Sequence, residues 1–242
     1  MEKDIKMLQK LIDESDNIVF FGGAGVSTES GIKDFRGKDG LYTSDKINYN
    51  PEYMLSIKCL YEEPEKFYDY YRNNMNFIDS KPNITHYYLT KLEEQGKLKA
   101  IVTQNIDGLH QKAGSKNVLE IHGSIYNNYC NKCHKGYDYK YIFESKNLPR
   151  CSCRGLVRPD VVLYGEMLPE SFSLARNYIY KTDLLIVAGT SLTVEPACSL
   201  LKVFNGNNLV IINNTPTPYD DKANLVINEP LGKVFKKLKK NF

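Results

Sequence analysis

NIVFFGGAGVSTESG, residues 17–31, decides the fold. Ile18 to Phe21 form an apolar run that enters Gly22, Gly23 and Gly25. A short run with no polar alternation reads as a strand covered on both faces. The glycines behind it read as a tight turn that opens a helix. The same pattern recurs downstream in LKAIVTQN (98–105), DLLIVAGTS (183–191), NLVIINNT (208–215) and KANLVINE (222–229). Helical patterns lie between them, as in THYYLTKLEEQG (85–96) and SFSLARNYIY (171–180). Strands alternating with helices predict an α/β fold, a Rossmann-like doubly wound parallel sheet. Ligands of such sheets bind beyond the carboxyl ends of the strands.

Two segments break the alternation. Residues 38–82 are rich in Tyr and Glu and look helical, punctuated by Pro51, Pro64 and Pro82. Residues 126–159 hold a cysteine cluster and few core-type runs. Both read as insertions forming a smaller zinc-binding and helical lobe. The sheet domain then comprises residues 1–37, 83–125 and 160–242.

The 242 residues are 42% hydrophobic and 25% charged, ordinary globular composition. A net charge of +3 is too small to argue for a nucleic-acid or membrane surface. No stretch approaches the length of an apolar membrane span, and MEKDIKMLQKLIDES is charged throughout, unlike a secretion signal. GKVFKKLKKNF reads as a terminal amphipathic helix with a solvated lysine face. Cys59 and Cys198 stand apart in apolar contexts and are expected in the core of a cytoplasmic protein. A monomer is expected.

Gly23 and Gly25 would let backbone approach a pyrophosphate. Thr28 replaces the third glycine of G-x-G-x-x-G, and a loop stands where a dehydrogenase has its acidic ribose clamp. The motif alone does not separate a phosphate turn from a plain strand-to-helix turn. GIKDFRG follows, with Asp34, Phe35 and Arg36 in one loop able to close on a charged, aromatic cofactor end. In VTQNIDGLH a strand runs into Gln104, Asn105, Asp107 and His110. A helix cap needs one such residue, not several, which favours a site. His110 is expected to be structural.

Cys130-x-x-Cys133 and Cys151-x-Cys153, with 17 residues between the pairs, predict a tetrahedral zinc site. A filled four-thiolate shell leaves no position for water, so the metal would be structural. His134 could substitute for one thiolate but is not needed. His122, after NVLEI and before a glycine, is expected at the strand-end cleft as a general base.

Taken together, GAGVSTESGIKDFRG, TQNIDGLH, IHGS, the four-cysteine module, RPDVVLYGE, GTSLTVEP and the late INN resemble the sirtuin family of NAD-dependent protein deacylases, in that family's order. The resemblance implies a phosphate loop at Gly23, Ala24, Gly25, Ser27 and Thr28. It implies a cofactor loop at Asp34, Phe35 and Arg36. Gln104, Asn105, Ile106 and Asp107 would line the nicotinamide and ribose pockets. His122 would be the catalytic base, with Asn105 and Asp107 orienting groups. Gly189, Thr190, Ser191 and Asn213 would hold the ADP-ribose portion. Val161, Tyr164, Gly165, Glu166 and Val194, with Tyr68, would line the groove for an acyl-lysine peptide paired as an added strand. The implied reaction consumes NAD and moves the acyl group from lysine to ADP-ribose. It releases nicotinamide and O-acyl-ADP-ribose.

Two departures from the family pattern stand out. Lys33 occupies a position that is usually proline, and the second cysteine pair is one residue shorter. Desuccinylating members resemble one another in a Tyr-x-x-Arg on the lobe helix. KFYDYYRNNM has Tyr71 at the arginine position and Arg72 about 100° away on the helix. Neutral acyl groups are therefore expected over succinyl. Protein ADP-ribosylation and a non-catalytic NAD-binding module are the competing readings.

Overall fold

The computed structural model describes residues 1–34, 40 and 50–238. Phe35 and Arg36 of the expected cofactor loop lie outside the described residues.

Nine strands were found among the described residues: β1 (Ile18–Gly22), β2 (Leu98–Thr103), β3 (Val118–Glu120), β4 (Gly123–Cys130), β5 (Gly136–Tyr137), β6 (Val157–Val161), β7 (Leu184–Ala188), β8 (Asn208–Ile212) and β9 (Leu225–Ile227). The helices are α1 (Glu2–Glu14), α2 (Pro51–Met54), α3 (Ile57–Glu62), α4 (Pro64–Asn74), α5 (Ile84–Glu94), α6 (Leu109–Ala113), α7 (Lys140–Phe143), α8 (Glu170–Lys181) and α9 (Leu231–Leu238).

Six strands form a parallel sheet in the order β3-β2-β1-β7-β8-β9. The order reverses between β1 and β7, which sets a ligand crevice at their carboxyl ends. Alternation along each strand builds two cores. Ile18, Phe20, Ile101, Ile186 and Val210 face α1, α5 and α9. Val19, Phe21, Val102, Val187 and Ile211 face α8 and the 3-10 segment Ala197–Val203. Every residue of β1 and β7 is buried, as continuous apolar runs require. α1 buries Ile5, Leu8, Leu11 and Ile12, and α9 buries Val234, Phe235 and Leu238 with Lys233 exposed, as their spacing predicts.

Described residues of both inserted segments share a third hydrophobic core. The antiparallel sheet β5-β4-β6 shares it with α2, α3 and α4. Phe67, Tyr68 and Tyr71 of α4 pack against Ile125 and Val157 of the small sheet there. β4 begins at Gly123, and Gly123 pairs with Val161, so the small sheet extends beyond residues 126–159 at both ends. Cys59 and Cys198 are buried, as expected.

The helix expected after GGAG is absent. Two 3-10 turns, Ala24–Val26 and Thr28–Ser30, stand there instead. Tertiary contacts explain the tighter winding. Gly25 donates to Gly189 O at 2.8 Å, and a side chain at Gly25 would sit 2.7 Å from the Gly189 Cα. The Asn83 amide at the start of α5 donates to Val26 O (2.8 Å) and Ser30 Oγ (2.9 Å). The turn is therefore shaped by neighbours 53 or more residues away, not by local helix propensity.

Candidate active site

The carboxyl ends of β1, β2, β7 and β8 meet in one place. Gly25 and Gly189 are in backbone contact, and Gly189 N in turn donates to Ile212 O at 3.0 Å. A side chain at Gly23 would come within 2.7 Å of Thr190 Cβ. Only glycines permit this approach of two strand-end loops.

The polar residues after β2 lock these loops together. Gln104 donates through Nε2 to Thr190 Oγ1 at 3.0 Å. Asn105 donates through Nδ2 to Ser27 Oγ at 3.1 Å, and Ser27 Oγ donates to Asp107 Oδ2 at 2.6 Å. The other Asp107 oxygen accepts from Leu109 N at 2.9 Å and starts α6. Burial raises the Asp107 carboxyl, while the Ser27 and Leu109 bonds oppose that rise.

These bonds change two expected roles. Asp107 is only 3% exposed and both its oxygens are used internally. Ser27 is 1% exposed, with its hydroxyl committed to Asp107. Both sit behind the cleft and hold its wall, whereas Gln104, Asn105 and Ile106 are partly open at its surface. Ala24 and Gly25 are likewise partly open, and Thr28 is exposed. Asp34 is half-buried at the last described residue before 40.

His122 lies at the same cleft. Its Nδ1 is 3.0 Å from Gln104 O. A carbonyl oxygen only accepts, so Nδ1 carries the proton and Nε2 keeps a lone pair. Burial pushes the His122 pKa down, and the Gln104 carbonyl partly restores it. The ring is thus neutral near pH 7, as a base must be. Protonation would fill Nε2, so kcat/KM should fall with acidification, with a midpoint below the ordinary histidine value of 6.5. A pH–rate profile checks this, and a midpoint at or above that value would remove His122 as the titrating base.

The residues expected to hold the distal half of a dinucleotide also converge. Thr190 is buried beside Gly189, and Ser191 Oγ is 2.8 Å from Thr193 Oγ1. Asn213 follows β8, its side chain donating to Thr215 O at 2.8 Å. On the lobe side, Val162 N donates to His122 O at 2.9 Å, which joins the 161–166 segment directly to His122. Val161 is buried, Val194 is half-buried, and Tyr164 and Gly165 are exposed.

Two of the expected groove residues turn their side chains inward. Tyr68 is fully buried, and its hydroxyl donates to Val157 O at 2.6 Å. It packs the lobe core because it shares the inward face of α4 with Phe67 and Tyr71. Glu166 turns its carboxylate inward onto Arg158 and Leu163 N, not toward the groove. His110 is structural as expected, buried with its ring 4.7 Å from that of His86. Sequence reasoning missed Asn83, Arg158 and Glu120, whose carboxyl burial pushes up to about 7. Asn83 is visible as a cap, but its hold on the 24–30 turn is a tertiary contact.

The four cysteines form one cluster, with their sulfurs all within 4.8 Å of one another. Cys130–Cys153 and Cys133–Cys151 sulfur pairs are each 3.5 Å apart. Zn–S bonds of ~2.3 Å in a tetrahedron give sulfur–sulfur edges of about 3.8 Å, so the cluster fits zinc. Filling all four positions with thiolates makes the site structural. His134, exposed and stacked at 6.4 Å on Tyr129, is not in the group.

Comparisons with known proteins agree with this geometry. The model of the Sir2 family matches residues 23–196. An NAD-dependent protein deacetylase of Clostridium acetobutylicum is 54% identical over 234 residues, 95% of this chain and 96% of the relative. A solved Sir2 structure with a p53 peptide and NAD+ superposes with TM-score 0.88 at 38% identity, over 98% of each chain. Another, a Sir2 variant with deacetylated p53 peptide and 3′-O-acetyl ADP ribose, gives TM-score 0.91 at 37% identity, again over 98% of each chain. With the family model matching residues 23–196 and a relative 54% identical over 95% of the chain, the chain belongs to the Sir2 family.

Proposed function

We propose that this chain is an NAD-dependent protein-lysine deacetylase that transfers the acyl group of a modified lysine to ADP-ribose. The observation that carries the reading is the His122 Nδ1 to Gln104 O bond, which presents a neutral imidazole at the strand-end cleft. NAD, when bound, supplies an electrophilic ribose carbon whose bond to nicotinamide can break. The chain's residues supply the rest. Ala24, Gly25, Gly189 and Thr190 form a close-packed backbone wall for phosphates. Gln104 and Asn105 present amides toward the carboxamide and ribose. His122 Nε2 accepts a ribose hydroxyl proton, and the 161–166 segment orients the peptide. The four cysteines hold zinc away from this chemistry.

A cytoplasmic location fits the reduced cysteines, and no helix among the described residues is long and apolar enough to cross a membrane.

Acyl preference follows from α4. Tyr71 is fully buried, stacked on Phe67 (5.7 Å) and Phe143 (5.4 Å). Arg72 donates to Ile142 O (2.9 Å) and Asn147 O (2.7 Å), so its guanidinium serves the lobe. A succinyl carboxylate would lack that partner. Leaving a desolvated charge unpaired costs at least ~2 kcal/mol, about 30-fold. Acetyl peptide should therefore exceed succinyl peptide in kcat/KM by at least about 30-fold. Mass spectrometry of each peptide with and without NAD tests both claims. Acetyl loss only with NAD, alongside nicotinamide and O-acetyl-ADP-ribose, is expected. ADP-ribose on protein without acetyl loss would indicate a transferase instead.

A further inference from the structure

Arg158 is a charged side chain only 6% exposed, on a strand of the small sheet. Each of its bonds ends within the next eight residues. Nε donates to Pro159 O at 3.1 Å, and Nη2 to Val161 O at 3.0 Å. Nη1 donates to Glu166 Oε1, and Nη2 to Glu166 Oε2 at 2.9 Å, a two-pronged pair. The same Glu166 Oε2 accepts from Leu163 N at 2.8 Å, and Glu166 N donates to Leu163 O at 3.0 Å. Residues 163–166 are thus closed on themselves and bolted to β6.

Other bonds fix where this ledge lies. Tyr164 N donates to Leu55 O, and Ile57 N donates to Tyr164 O, both at 3.0 Å. One residue earlier in the ledge's approach, Val162 N reaches His122 O. At its tip the chain is open to solvent: Tyr164 is 38% and Met167 93% exposed, and Gly165 has φ 93°.

We propose that Arg158, acting through Glu166, is a positioning residue for the peptide substrate. It holds the 163–166 ledge in the shape on which an extended peptide pairs, in register with His122. The inference rests on the deacetylase reading. Stability alone does not account for the pair, since a buried ion pair replaced by apolar residues of similar volume is often neutral or more stable. What such a pair supplies is geometry. A peptide held by main-chain bonds binds better when the receiving backbone is fixed beforehand, because ordering costs are avoided. Buried Leu163 anchors the start of the ledge in the lobe core, and the Arg158–Glu166 pair fixes its far end, beyond the left-handed Gly165.

The test uses Glu166→Gln and the double variant Arg158→Met with Glu166→Leu. The double variant leaves no charge of the pair buried without its partner, and a thermal melt checks that the fold is kept although Pro159 O, Val161 O and Leu163 N lose their side-chain partners. For both, KM for an acetyl-lysine peptide should rise about 10-fold, the loss of ~1.4 kcal/mol of binding. KM for NAD and kcat should stay within about twofold, a split a general loss of structure would not give. Hydrogen exchange at the 163–166 amides should quicken while β1 and β7 keep their protection. Exchange needs no turnover, so it reads the clamp even if the parent chain proves to have no deacetylase activity. Unchanged exchange in both variants would overturn the clamp. Faster exchange with an unchanged peptide KM, or an equal rise in both KM values, would overturn its role in positioning the peptide.

Discussion

His122→Ala should lower kcat for deacetylation by about 10²- to 10⁴-fold, the usual contribution of a positioned general base. The fold and the zinc content should be unchanged. This separation follows from how the residue is attached. The side chain is held through Nδ1, which bonds to Gln104 O. The bond that ties the peptide ledge to this position, Val162 N to His122 O, is made by the main chain and survives the substitution. Gln104 keeps its own link to Thr190, so the cofactor wall is retained. The cysteine cluster that would hold the metal lies beyond the start of β4, with Cys130 its first member. Peptide and NAD binding should therefore change little, and the loss should fall on kcat. Steady-state kinetics with zinc analysis on the same preparation checks the outcome. Zinc loss in this variant, or turnover within tenfold of the parent, would place the base elsewhere.

Legibility in the sequence tracks how local the cause of each feature is. β1 and β7 are continuous apolar runs because a central parallel strand is buried on both faces, and five such residues are visible in any listing of the chain. The α1 and α9 stripes are equally local. The 24–30 turn is not, because Gly189 and Asn83 decide its winding from far away in sequence. Tyr68 illustrates a different limit. An aromatic on an amphipathic helix has the same signature whether its face meets a groove or a core, and only the partner at Val157 distinguishes them. For Glu166 the segment is legible in the sequence, but the inward turn of its carboxylate is not. RPDVVLYGE contains both members of the ion pair, but the turn that folds one back onto the other depends on the Leu163 and Gly165 backbone. The site's members were legible as types, since Gln104, Asn105 and His122 do meet at one strand end. The order of layers, with Asp107 and Ser27 behind the cleft wall, comes from burial that no spacing encodes.

Cys130→Ala should remove zinc and melt the small lobe. Cys130 and Cys151 are buried members of the lobe core, beside Tyr68, Tyr71 and Val157. That core is the smaller satellite of the sheet domain, and part of it is the metal shell itself. Structural zinc sites contribute apparent binding energies of about 10–16 kcal/mol in small peptides, comparable to the whole stability of a domain at about 5–15 kcal/mol. Losing even ~3 kcal/mol lowers Tm by roughly 6–12 °C in a chain of this size. The damage should also reach turnover. β4 carries Cys130 at one end and Gly123 at the other, immediately after His122, and it pairs with the strand that leads to the peptide ledge. Unlike His122→Ala, this variant should lose activity together with fold, and a strong chelator should reproduce the loss in the parent chain. Cys198→Ala is the control, a buried cysteine outside the cluster that should keep full zinc. A thermal melt with metal analysis separates the cases. Full zinc in Cys130→Ala would mean that the shell is not these four thiolates, and His134, beside Cys133, would be the first replacement to examine.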